Sequence, residues 1–179
     1  AEGKPLLVAI FPIALIGVWC WARVAYVPPE PGEAVPVRAY FPVAEIDKLV
    51  HVVPQDGVTA EDGWIRTIRP DVTPEGKVTN GIAEWTLRCE RRDEPYRLEI
   101  RYEEGSFCKE LLVDGMHYAP PLEAYDGGGP EVVELGLDEY KFLGFVPGIS
   151  AIMLQPWIVG YLIVVLPLSF ILRPALRIC

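Results

Sequence analysis

The stretch IAEWTLRCERRDEPYRLEIRYE, Ile82–Glu103, carries the clearest structural signal in this chain. In its first half Ala83, Trp85, Leu87 and Cys89 alternate with Glu84, Thr86, Arg88 and Glu90. In its second half Tyr96, Leu98, Ile100 and Tyr102 alternate with Arg97, Glu99, Arg101 and Glu103. Period-two alternation marks strands with one buried face and one wet face. A two-residue turn at Arg92-Asp93 would pair Leu87 with Leu98 and Trp85 with Ile100. A second turn at Gly105-Ser106 would pair Ile100 with Leu111 and Leu98 with Val113. Both registers put the apolar residues on one face, so the pattern predicts a three-stranded antiparallel meander. Thr86 opposite Glu99 and Glu84 opposite Arg101 suit its outer face. Arg88 opposite Arg97 is a like-charge pair and the weak point of this register.

Working outward, further strands are predicted at Val37–Val43, Lys48–Val53, Trp64–Ile68 and Glu131–Leu137. Pro42 would confine the first to a sheet edge, because proline cannot donate to the ladder. AEIDKLV, residues 44–50, reads as a short helical turn. PQDG at 54–57, RPDVTPEGK at 69–77 and YDGGGP at 125–130 read as turns. Residues 28–141 are therefore expected to form one small, mainly antiparallel β-domain, a sandwich or an open barrel. They follow a stiff Pro-rich opening, PPEPGEAV.

Charge concentrates in this middle part. Residues 28–141 hold 24 acidic and 12 basic residues, a net charge of −12, while the whole chain of 179 residues carries −9. So acidic a domain repels phosphate backbones and anionic headgroups, which sets nucleic acid aside as a partner.

The flanks are apolar. Residues 5–22 and 142–172 contain no charged residue. About 20 apolar residues span a bilayer core, so the pattern predicts transmembrane helices at 5–27 and 156–173. Residues 142–155, interrupted by Gly144, Pro147 and Gly148, read as an interfacial apolar segment before the second helix. A cleaved signal peptide fits the first flank poorly, since its apolar region is too long and no small-x-small site follows. Trp19, Trp21 and Arg23 would anchor the first helix at an interface, and Trp157, Arg173 and Arg177 the second. The bases flanking the two segments place both termini in the cytoplasm and the domain outside it, extracytoplasmic or periplasmic. The expected class is a two-pass integral membrane protein in contact with the lipid bilayer.

Chemistry is harder to find. The four cysteines Cys20, Cys89, Cys108 and Cys179 form no CxxC or Cys/His cluster. The predicted register puts Cys89 on the core face and Cys108 on the outer face opposite Glu103. A Cys89–Cys108 disulfide, permitted in an oxidising compartment, would need a bulge or a different register. His51 and His117 are the only histidines, and a metal or acid–base role would require the fold to bring them together. Ser106, Ser150 and Ser169 lie outside any GxSxG motif. Asp126 precedes Gly127-Gly128-Gly129 without the lysine of a phosphate loop or the alternating oxygens of a calcium loop. No cofactor is expected. The leading expectation is a non-catalytic, membrane-anchored accessory or scaffolding subunit whose partners are other integral membrane proteins. The alternatives are an extracytoplasmic sensor or ligand-binding domain, and a metal-dependent enzyme using His51 and His117.

Overall fold

The computed structural model describes residues 25–141, 156 and 158–163. The chain divides into two compact units, Pro28–Asp138 and the pair Ala1–Val27 with Glu139–Cys179.

The larger unit is built from ten strands in two antiparallel sheets. The strands are β1 (Ala34–Phe41), β2 (Leu49–Val52), β3 (Val58–Ala60), β4 (Ile65–Thr67), β5 (Arg69–Val72), β6 (Val78–Cys89), β7 (Tyr96–Tyr102), β8 (Gly105–Leu111), β9 (Leu122–Ala124) and β10 (Val132–Leu135). One sheet runs β3-β6-β1-β10-β9, with β5 also paired to β6. The other runs β4-β2-β7-β8. The long β6 spans two short partners on one side, β5 along its first half and β3 along its last residues. A 3-10 turn at Val43–Glu45 joins β1 to β2.

The alternation read from the sequence is present in both halves of the opening stretch. Ala83, Trp85, Leu87 and Cys89 are buried, as are Tyr96, Leu98, Ile100 and Tyr102. They do not, however, share a sheet. β6 and β7 belong to opposite sheets, and their apolar faces meet across one core that also holds Val37, Phe41, Val50, Ile68, Leu111 and Val133. Residues 90–95 are a crossover between sheets. A tight hairpin at Arg92-Asp93 would have set Arg88 against Arg97. Instead Arg88 reaches Glu61 and the Gly32 carbonyl. The Tyr96 hydroxyl pins the crossover by donating to the Glu90 carbonyl at 3.1 Å.

The predicted β7–β8 pairing is also corrected. The turn uses Glu103-Glu104, with Glu103 at φ 49°, rather than Gly105-Ser106. Ile100 faces Phe107 and Leu98 faces Lys109. Relative to expectation the partner slides by four residues. An even slide keeps every side chain on its predicted face, so the hydrophobic pattern could not detect it.

β1 is an interior strand between β6 and β10, not the edge strand that Pro42 suggested. It ends at Phe41, one residue before the proline. Where β1 meets the opposite sheet, the Phe41 and Tyr102 rings pack 5.1 Å apart. The Trp85 indole lies fully buried and donates to the Trp64 carbonyl at 2.9 Å. Gly81, in β6, is required by close approach, since a Cβ there would stand 2.5 Å from Ile68 Cγ2. Burying each large apolar side chain of this core contributes about 1.5–3 kcal/mol.

In the smaller unit Tyr26 and Glu139 form an isolated antiparallel bridge, and Tyr140 N–H donates to the Ala25 carbonyl at 2.9 Å. Residues 156 and 158–163 are helical.

Two transmembrane helices are not seen. Among the described residues no helix is long and apolar enough to cross a membrane. Among the described residues the architecture is mainly antiparallel β-sheet, with no helix long and apolar enough to span, which overturns the expected fold class of two spans flanking a β-domain. The two-pass membrane localisation inferred from those spans is withdrawn with them. Hydropathy reports the cost of leaving a run in water, and does not by itself establish a continuous helix of spanning length. Most of segment 5–27, all of 142–155 and most of 156–173 lie outside the described residues. So do the expected anchors Trp19, Trp21, Arg23, Trp157, Arg173 and Arg177.

Candidate functional site

Each sheet of the larger unit ends in a strand with a free edge, β8 in one sheet and β9 in the other. Side chains, not backbone pairing, join these two edges. Lys109, on β8, points to the core face and is 0% exposed. A lysine buries its charge only when the ammonium is paired and hydrogen-bonded. Here Nζ donates to the Pro120 carbonyl at 2.6 Å and to Glu123 Oε2, on β9, at 3.1 Å. Burial pulls the Lys109 pKa below the ordinary lysine value, and the Glu123 carboxylate opposes that pull.

A second bridge lies further along the seam. Tyr125, one residue past β9, donates its hydroxyl to the Cys108 carbonyl at 2.6 Å. Its ring meets Phe107 edge-on, with centroids 5.7 Å apart. The glycine-rich loop after Tyr125 lies against the same phenyl group. A Cβ on Gly129 would stand 2.1 Å from Phe107 Cζ, so only glycine fits. Partial burial raises the Tyr125 pKa, as does the nearby Glu123 charge, so the phenol stays neutral and a donor at physiological pH.

Between the two edges opens a cleft of about 580 Å³. Its walls are Cys108 and Glu110 from β8, Arg97 from β7, and Pro120, Leu122, Glu123 and Ala124 from the β9 side. Leu122 is 58% exposed there. A neighbouring cleft of about 540 Å³, lined by Gln55, Arg92, Glu94, Pro95 and Arg97, shares Arg97 with the first.

The residues singled out from sequence do not converge on this cleft, with one exception. His51 lies on β2, paired with Arg101 of β7 and Ile65 of β4. His117 is exposed in the loop between β8 and β9. Among the described residues no group of three or more His, Cys, Asp or Glu side chains could hold a metal ion. Cys89 and Cys108 are both free, and no disulfide joins them. Cys89 is buried in β6 of one sheet, while Cys108 is exposed in β8 of the other, opposite Glu99 rather than Glu103. Cys108 is the exception, since it lines the cleft. Sequence reasoning missed Lys109 and Glu123. The available signal was a lysine at a core-parity position, two residues before Leu111, whereas its partner Glu123 on β9 is visible only in the fold.

Compared with known proteins, the chain matches no family model, no curated protein sequence and no solved structure. Its fold and cleft therefore define it by architecture alone, as a two-sheet antiparallel β-domain with a cleft of mixed polarity between two strand edges.

Proposed function

We propose that this chain is a non-catalytic accessory or scaffolding protein whose β-domain holds a partner protein at the cleft between β8 and β9. The observation that carries the reading is the pair of free strand edges facing one open cleft. Small-molecule sites are mostly enclosed and apolar with a few converging polar groups. This cleft is open and mixed in polarity, which suits a segment of another chain. The net charge of −12 over residues 28–141 favours a basic partner and speeds its encounter.

The test is site-specific photo-crosslinking in native extract. A photoreactive residue at position 110, in the cleft, is compared with one at position 72, on exposed β5. The reading expects a single stoichiometric adduct from position 110, lost when Leu122→Asp alters the opposite wall, and none from position 72. A monodisperse lone monomer that cross-links nothing from position 110 would overturn it.

A further inference from the structure

We propose that the free edge of β8 takes up an extended peptide as an added strand, with a lysine or arginine of that peptide lodged beside Glu110 and Glu123. This rests on the interaction reading above and names the partner's chemistry at the same cleft.

The backbone direction of β8 follows from its neighbour. Val53 N–H donates to the Glu99 carbonyl at 2.8 Å, so Glu99 turns its backbone groups toward β2 and away from β8. Glu99 faces Cys108. That pair is therefore a non-hydrogen-bonded one, and the N–H and C=O of Cys108 point out of the sheet. By the same alternation those of Ser106 and Glu110 do too. The Tyr125 hydroxyl occupies the outward Cys108 carbonyl. Among the described residues no backbone group pairs with the outward N–H or C=O of Glu110.

Natural sheets blunt such an edge with an inward charge, a proline, a bulge or a covering loop. β8 has two of these devices, an inward charge at Lys109 beside Glu110 and a covering loop at the Phe107 end. Lys109 points inward, but its ammonium is tied to Pro120 and Glu123. The glycine loop and Tyr125 cover the Phe107 end. The Glu110 end has neither proline nor cover, and it opens on the cleft.

The cleft's walls say what should arrive. An added strand gains its affinity from main-chain hydrogen bonds and its specificity from pockets for alternate side chains. Here the pocket beside the edge offers the Glu110 and Glu123 carboxylates over the apolar Pro120, Leu122 and Ala124. Glu123 already serves Lys109, whereas Glu110 makes no ion pair among the described residues. Arg97 stands across from Glu110 on β7; among the described residues it too makes no ion pair, and it is the only base lining the cleft. A long cationic side chain can lay its methylenes on the apolar wall and its charge on Glu110. An acidic strand would meet those carboxylates and the domain's net charge.

The probes are an eight-residue peptide alternating threonine with lysine, and its twin alternating threonine with glutamate. Each is added to the full chain, and amide hydrogen exchange is followed at Cys108 and Glu110. The lysine peptide should slow exchange at both amides at least tenfold, and the glutamate peptide should not. Glu110→Pro removes an outward N–H while sparing the ladder to β7, so it should abolish the protection with little change in thermal melting. Glu110→Gln keeps the backbone and should weaken binding several-fold, which holds the test open should the proline variant misfold. Tyr125→Phe releases the Cys108 carbonyl and should tighten binding. Equal protection by both peptides, or undiminished binding to folded Glu110→Pro, would overturn the proposal. A partner cross-linked from position 110, with neither peptide protecting β8, overturns strand addition and leaves the interaction reading standing. Protection by the lysine peptide with no cross-linked partner supports the edge site and removes the scaffolding role.

Discussion

Lys109 Nζ, on the last strand of one sheet, donates at 3.1 Å to Glu123 Oε2 on the last strand of the other. This contact ties together two edges that share no backbone pairing, and its Glu123 partner also lines the cleft. Holding an ammonium fully out of water carries a desolvation cost that its two acceptors offset only in part, which is why its pKa lies below the ordinary lysine value.

That direction sets a pH dependence. With the folded pKa below the unfolded value of 10.5, the unfolded chain binds more protons once pH passes the folded pKa. Stability contributed by Lys109 therefore rises with pH through that window and levels off above about 10.5. Urea titrations of wild type and Lys109→Met between pH 7 and 11 should show wild type gaining relative to the variant. A constant difference across the range would contradict a depressed pKa.

The packing of Gly129 on Phe107 gives a second expectation. Gly129→Ala places a methyl where the phenyl ring lies and should cost about 1–3 kcal/mol by overpacking. In a Phe107→Leu background most of that cost should vanish, and the double-mutant cycle measures the difference. Additive effects would mean that the loop does not lie on the ring.

The cysteines differ in reactivity for a stated reason. Burial pushes the Cys89 thiol up to about 11, so it stays protonated at pH 8 and shielded by the core. Iodoacetamide at pH 8, followed by peptide mapping, should modify Cys108 in the native chain and spare Cys89 until denaturant is added. Equal labelling of both in the native chain would place Cys89 outside the core.

Two half-buried carboxylates should shape the acid limb. Hydrogen bonds from Lys48 and then Tyr102 hold Glu45 below the usual carboxylate range, and Arg101 and then Ser106 do the same for Glu99. Groups depressed in the folded state stabilise it above the unfolded value of about 4.5 and lose that contribution as pH falls through the folded value. Thermal melting should decline below about pH 4.5, and less steeply in Glu99→Gln. A variant with an unchanged slope would show that the Arg101 and Ser106 contacts carry no linkage.

Residue faces were legible in the sequence, and residue partners were not. Trp85, Leu87, Leu98 and Ile100 are buried as their alternation required, and strands lie at β1, β2, β4 and β10 near the predicted positions. β3, β5 and β9 bury only Val58 among them, so they left no apolar alternation to read, and Pro70 disguised β5 as a turn. The cleft was illegible for the same reason as the β7–β8 register. Cys108, Glu110 and Lys109 keep the faces that alternation gives them, but which residues stand opposite and beside them depends on the register and on where β9 lies. The apolar flanks led to an expectation of two membrane spans that the described residues do not support.

The sequence by itself determined that residues 82–103 form two strands with one apolar face each, because inward and outward side chains alternate along any extended chain. It also determined the acidity of residues 28–141. Tertiary structure alone decided that those two faces oppose each other across a core rather than adjoin in one sheet. Both arrangements bury the same side chains. What separates them is the length of the 90–95 crossover, the charge conflict of Arg88 with Arg97, and the packing of Trp85, Phe41 and Tyr102, and these are energies of contact between distant parts of the chain.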